Sequence, residues 1–127
     1  MPENRPEEIC TLFQRAMAEG DLDAVMRVYD EGVVFLNQKG DIIKGIDDLR
    51  RQLTPLVAQQ PDFDFTILQV VEAGDVALMH TEWRVAGREP MRQHAIEVAR
   101  RQADGTWRWQ IGDPFTIGKH IGRSNVG

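Results

Sequence analysis

The chain has 127 residues, 42% of them hydrophobic and 28% charged, which is ordinary globular usage and enough for one core without staples. Its net charge of −5, with no basic cluster, argues against nucleic acid as a partner. No apolar run reaches the roughly 18 residues of a membrane span, and the single cysteine, Cys10, can close no internal disulfide. Residues 1–8 contain no apolar stretch of the signal-peptide kind, so a cytoplasmic location is the expectation.

Ile9, Leu12, Phe13, Ala16 and Met17 recur at helical spacing. Pro6 suits a first turn, and Glu7 and Glu8 suit the positive end of the helix dipole. Cys10 lies in this stripe and reads as a small apolar core residue, since no base or cation stands near it to make a nucleophile. Gly20 ends the helix and Asp21 caps the next, whose stripe is Leu22, Val25, Met26 and Tyr29. Residues 7–19 and 22–30 are therefore expected as a helical hairpin. Val33 to Asn37 reads as a strand, Asn37 to Asp41 as a turn, and Ile42 to Lys44 as a short second strand. A third helix follows Gly45 and carries Ile46, Leu49, Leu53, Leu56 and Val57, with Pro55 expected to kink or break it after Thr54.

After Pro61 the period changes to two, with Phe63, Phe65 and Ile67 alternating with Asp62, Asp64 and Thr66. Gly74-Asp75 turns the chain. Strands over 76–86 and 91–103 are joined by Gly87 to Pro90, and Asp104-Gly105 leads into a last strand from Thr106 to about Phe115. Helices first and long strands after predict an α+β domain over 1–115, with a flexible, glycine-containing tail over 116–127.

A loop from Gly87 to Pro90 pairs His80 with Glu97, Glu82 with Ala95 and Arg84 with Gln93, so these share a face with Leu78 and Ala99. The other face then holds Met79, Thr81, Trp83, Val85, His94, Ile96 and Val98, and Trp107, Trp109 and Ile111 share a face of the last strand. Packing alone would put the Trp-rich set under the helices and the polar set in water. A slip of one residue would change which faces match.

Gly20-Asp21-Leu22-Asp23-Ala24, then Tyr29, a short strand, a third helix and Asp104-Gly105-Thr106-Trp107-Arg108 together resemble the nuclear transport factor 2-like superfamily. Thr81 to Gly87 and Glu97 to Trp109 look most like its ketosteroid isomerase-like and polyketide cyclase-like (SnoaL-like) small domains. The resemblance spans residues 7–115. It implies a cystatin-like roll: three N-terminal helices packed on a strongly curved, mixed, mostly antiparallel sheet that forms a cone-shaped pocket. It also implies a homodimer through the convex sheet face. The polar strip would then line the pocket, and Trp83, Trp107, Trp109, Ile96 and Val98 would form the dimer interface.

By the same resemblance, the base of ketosteroid isomerase falls on Asn37, its tyrosine on Phe13 and its acid on Glu97. Asn37 cannot take a proton and Phe13 cannot donate one, so standard steroid isomerisation is not expected. His80 and Glu97 remain as a candidate acid–base pair for an isomerase, cyclase or lyase-type proton transfer. Phe13, Asn37, Glu82, Arg84 and Gln93 are candidate binding residues, with Arg84 suited to an anionic or carbonyl oxygen. The ligand expected is a small hydrophobic or anionic molecule. The alternative is a non-catalytic ligand-binding or dimerisation module. No metal is expected: His94 and Glu97 fall on opposite faces, so do His80 and His94 under this pairing, and His120 lies in the tail. Glycine-rich phosphate loops and dinucleotide fingerprints are absent, so no cofactor is implied.

Overall fold

Helix α1 (Glu8–Glu19) buries Ile9, Cys10, Phe13, Ala16 and Met17; Leu12 sits at the edge of the stripe, largely in solvent. Gly20 closes the helix at φ 67°, its left-handed conformation costing no Cβ clash. Asp21 accepts from Ala24 N at 3.1 Å and starts α2 (Leu22–Met26). This second helix stops three residues before its apolar stripe does. The chain is drawn into a sheet instead: Trp109 N donates to Val28 O at 2.8 Å, and β1 (Tyr29–Leu36) begins at Tyr29. Tertiary pairing outweighs a helical pattern of barely two turns.

The computed structural model describes residues 5–87 and 92–118. A turn built on Asn37, whose side chain accepts from Lys39 N and Asp41 N, folds β2 (Ile42–Lys44) back on β1. Helix α3 (Ile46–Ala58) runs through Pro55 without ending there. Pro55 faces water near the helix end, where its missing N–H removes a single i→i−4 bond, while Leu53 and Val57 on either side of it are buried. Then come β3 (Phe63–Ala73), β4 (Val76–Val85), β5 (Gln93–Arg101) and β6 (Trp107–Asp113). Gly105 adopts φ 87° in the last hairpin, and Asp104 Oδ1 accepts from Thr106 N. Residues 116–118 form a helical turn; the rest of the expected tail, and residues 88–91 of the β4–β5 connection, lie outside the described residues.

The strands form one open sheet in the order β2-β1-β6-β5-β4-β3, with β1 and β6 parallel and every other neighbouring pair antiparallel. Leu68 is an extra residue on β3 and Gln110 one on β6. Such bulges bend a strand and increase its twist, and here they help curl the sheet around the helices. This is the α+β arrangement that the order of elements predicts and the cystatin-like roll that the family resemblance implies.

The pairing of β4 with β5 differs from expectation by one residue. Trp83 faces Gln93, Thr81 faces Ala95, Met79 faces Glu97 and Ala77 faces Ala99. His80 therefore faces Ile96, and Glu82 faces His94. Because side chains alternate with period two, the slip dissolves both expected sets. Met79, Thr81, Trp83 and Val85 share the inner face with Ala95, Glu97 and Ala99, while His80, Glu82 and Arg84 share the outer face with His94, Ile96 and Val98. Trp107 and Trp109 are buried on the inner side, and the Gln110 bulge sends Ile111 outward. The expected interface through Trp83, Trp107 and Trp109 is thereby overturned, since the helices and the pocket already occupy that side.

Candidate functional site

Between the helices and the concave face lies a narrow cavity of about 90 Å³. Its wall is aromatic. Phe13, on the buried stripe of α1, meets Phe63 at 5.1 Å, Trp109 at 5.5 Å, Phe65 at 5.9 Å and Tyr29 at 6.4 Å between ring centroids, all edge-on. Edge-to-face contacts of this kind add to the burial of the rings themselves. Gly112, opposite Phe35 on β1, leaves room for that ring: a Cβ there would stand 3.1 Å from Phe35 Cδ1. A second cavity of about 360 Å³ shares Leu56, Phe63, Trp83 and Phe115 with the first and adds Gln38, Val85 and Gln93 to its wall. Trp83 Nε1 donates to Pro114 O at 3.1 Å, and Phe115 packs on the Trp83 ring. The segment after β6 is thus held across the entrance.

One ionisable carboxyl stands in the inner cavity. Glu97, 7% exposed, projects from β5 among Tyr29, Ala95 and Trp109. Burial pushes its carboxyl up to about 8; the neighbouring Thr81 hydroxyl favours the anion and offsets only part of this. Glu97 Oε1 and Trp109 Nε1 are buried without a hydrogen-bond partner. Unmet polar atoms in an apolar cage are costly and mark a place where a ligand or water would be held. Burial and the Glu97 charge also raise the Tyr29 hydroxyl. Burial, then Glu97 and Glu7, raise the Cys10 thiol, which accordingly stays protonated and inert.

The structure brings Glu97 and Phe13 into the inner cavity and Gln93 onto the wall of the outer one. Asn37 is spent on its turn. His80, Glu82 and Arg84 lie on the outer face, so the expected His80–Glu97 pair does not exist. His80 meets His94 instead, and Arg84 Nε donates to Asp64 Oδ2 at 3.1 Å. With Arg84 outside, the anionic ligand loses the side chain that suggested it. Among the described residues, no group of three or more His, Cys, Asp or Glu is placed to hold a metal. Sequence reasoning missed Tyr29 and Trp109 as pocket residues. Their signal was present in the alternation, but the correct register was needed to read it.

An aromatic pocket over a curled sheet, with one protonatable carboxyl, defines a small-molecule pocket domain. Residues 11–110 match the SnoaL-like domain, and the chain belongs to that family. No curated protein matches the sequence. Among solved structures, a protein from Thiobacillus denitrificans assigned as a calcium/calmodulin-dependent protein kinase type II association domain aligns with a TM-score of 0.74. It is 18% identical and the alignment covers 91% of this chain and 100% of that one. A ketosteroid isomerase-like protein from Erwinia carotovora atroseptica aligns at 0.66, with 19% identity over 84% and 88%. A protein from Streptomyces avermitilis assigned as a dehydratase of the NTF2-like family aligns at 0.65, with 21% identity over 87% and 93%. At such identities the likeness shows the fold alone. No helix among the described residues is long and apolar enough to cross a membrane.

Proposed function

We propose that the chain binds a small, uncharged, largely apolar and flat molecule in the aromatic cage, and that Glu97 moves a proton on it, as an isomerase, cyclase or lyase-type enzyme would. The observation that carries this is the single carboxyl inside an aromatic cavity, raised to about 8 by burial. In its neutral form it donates a hydrogen bond to a carbonyl or hydroxyl; poised near neutrality, it can also give up and recover a proton. Trp109, on the wall of the same cavity, has a buried Nε1 without a hydrogen-bond partner. A fluorescence titration monitoring Trp83 and Trp109 should show neutral cyclic ketones or phenols binding at least tenfold more tightly than the corresponding carboxylates at pH 7. A preference for the carboxylates would overturn the reading. Glu97→Gln should keep binding within a few-fold and remove 10²–10⁴ of any turnover; unchanged turnover would leave a non-catalytic binding domain.

A second reading, self-association through the convex face, is favoured by one register row. Val71, Leu78, Val98, Ile111 and Val34 pair in succession across five strands on the outer side. Val71 is 48%, Leu78 47% and Ile111 41% exposed. A continuous apolar band of this length on a solvated face suits a partner surface, and a two-fold axis would set it against its own copy. Sedimentation should give a dimer at tens of micromolar, and Leu78→Asp a monomer of unchanged fold. A wild-type monomer at that concentration would refute it.

A further inference from the structure

The outer face also holds an arrangement that the pocket does not use. His80 on β4 and His94 on β5 stand diagonally across neighbouring strands, His80 opposite Ile96 and His94 opposite Glu82. Their rings are 5.6 Å apart and tilted by 48°, with His94 Nδ1 3.4 Å from His80 Nε2. Both side chains are half-buried, so strand geometry holds much of their orientation. A separation of 3.4 Å is long for an N–H···N hydrogen bond, since good bonds to nitrogen donors close at roughly 2.7–3.2 Å. It is, however, the edge of a tetrahedron whose centre lies about 2.0–2.1 Å from each nitrogen, the ordinary zinc–imidazole distance, because that edge works out at roughly 3.3–3.4 Å.

We propose that His80 and His94 form a two-imidazole site for a divalent transition-metal ion, with the remaining positions filled by solvent. Imidazole nitrogen suits Cu²⁺, Zn²⁺ and Ni²⁺ and is a poor ligand for Mg²⁺ and Ca²⁺. The ionisable groups around the pair are Glu82 directly across from His94, Asp113 across from Ile96, Arg84 drawn to Asp64, and Arg92, which donates to Thr66. Gln69 faces His80 from β3. The two carboxylates favour a cation there. With only two protein ligands, the site is open and of modest affinity. Binding must compete with protons for the imidazole nitrogens and so weakens as the pH falls. The site stands on the histidine pair itself and does not require the face to be covered.

The test is calorimetric titration of the full chain with Zn²⁺ and Cu²⁺ alone at pH 7.5 and 5.5, beside Mg²⁺. Cu²⁺ should bind more tightly than Zn²⁺, and Mg²⁺ should give no heat. His80→Gln and His94→Gln should each weaken Zn²⁺ at least tenfold, and so should the shift to pH 5.5, whereas His120→Gln and Glu97→Gln should leave it unchanged. One ion per chain supports the site. One ion per two chains with a doubled mass supports it as well, the pairs of two copies meeting on one ion; this is distinguishable from metal-free dimerisation, which His80→Gln would leave intact. Zinc-induced shifts of both imidazole rings in the wild-type NMR spectrum provide a readout independent of how the variants fold. No Zn²⁺ binding at 100 μM, or binding that survives the double substitution, would overturn the proposal.

Discussion

On the inner face of the sheet Glu97 stands among Tyr29, Ala95 and Trp109 with no hydrogen bond at Oε1. On the outer face Asp64 accepts from Arg84 at 3.1 Å, and both side chains are in contact with water. These environments are reached by alternate residues of the same strands: Met79, Thr81 and Trp83 point one way from β4, and His80, Glu82 and Arg84 the other. The contrast teaches that the ionisable residues most suggestive of chemistry need not share a site. Of the ionisable residues expected at the pocket, His80, Glu82 and Arg84 could have joined Glu97 only under a different register, and Glu97 alone of the four is enclosed by the aromatic cage. A lone carboxyl in an apolar cage is destabilising to the fold and useful to a ligand, whereas an exposed ion pair is nearly neutral for either.

The largest effect that can test this contrast is at Phe13, which four other rings meet. Phe13→Ala should cost about 3–5 kcal/mol in denaturant unfolding; a loss of under 1 kcal/mol would mean that the cage is not a packed core. Next is Glu97. Folded, it keeps its proton up to about 8, while the ordinary value is 4.5. The folded state therefore binds the extra proton, so the contribution of Glu97 to stability is greatest below pH 4.5 and falls as pH rises towards 8. At pH 7 the penalty is about 3 kcal/mol. Glu97→Gln should recover much of it at pH 7, change little at pH 4, and flatten the profile between; thermal melts across that range check this. A wild-type profile that rises from pH 4.5 to 8 would place Glu97 in water.

Smaller effects follow at the entrance and on the outer face. Trp83→Phe keeps the ring but loses the bond to Pro114 O, and should cost about 1 kcal/mol while loosening residues 114–118. Hydrogen exchange at Phe115 N and Thr116 N, which Asp113 Oδ1 accepts, would report the loosening. Asp64→Asn, which breaks only the exposed pair with Arg84, should change stability by roughly 0.5 kcal/mol or less. A loss near that of Trp83→Phe would erase the distinction between the faces.

Much of this was legible in the residues themselves. Gly20 and Asp21 act as the stop and start that their chemistry implies, the change of period at Pro61 marks the sheet, and Asp104-Gly105 turns as such pairs do. Phe13 and Glu97, placed in the pocket by family resemblance, are in it. These are local features or features of order along the chain, and short-range sterics and hydrogen bonding suffice for them. The faces were decided by tertiary structure. A connection shifted by one residue between β4 and β5, and one extra residue at Gln110, determine which side every later side chain takes. Local propensity is almost indifferent to such a shift, because a strand is a strand in either register. Only the burial of Trp83, Trp107 and Trp109 against α1 and the pocket selects between them, and that energy exists only once the sheet has closed over the helices.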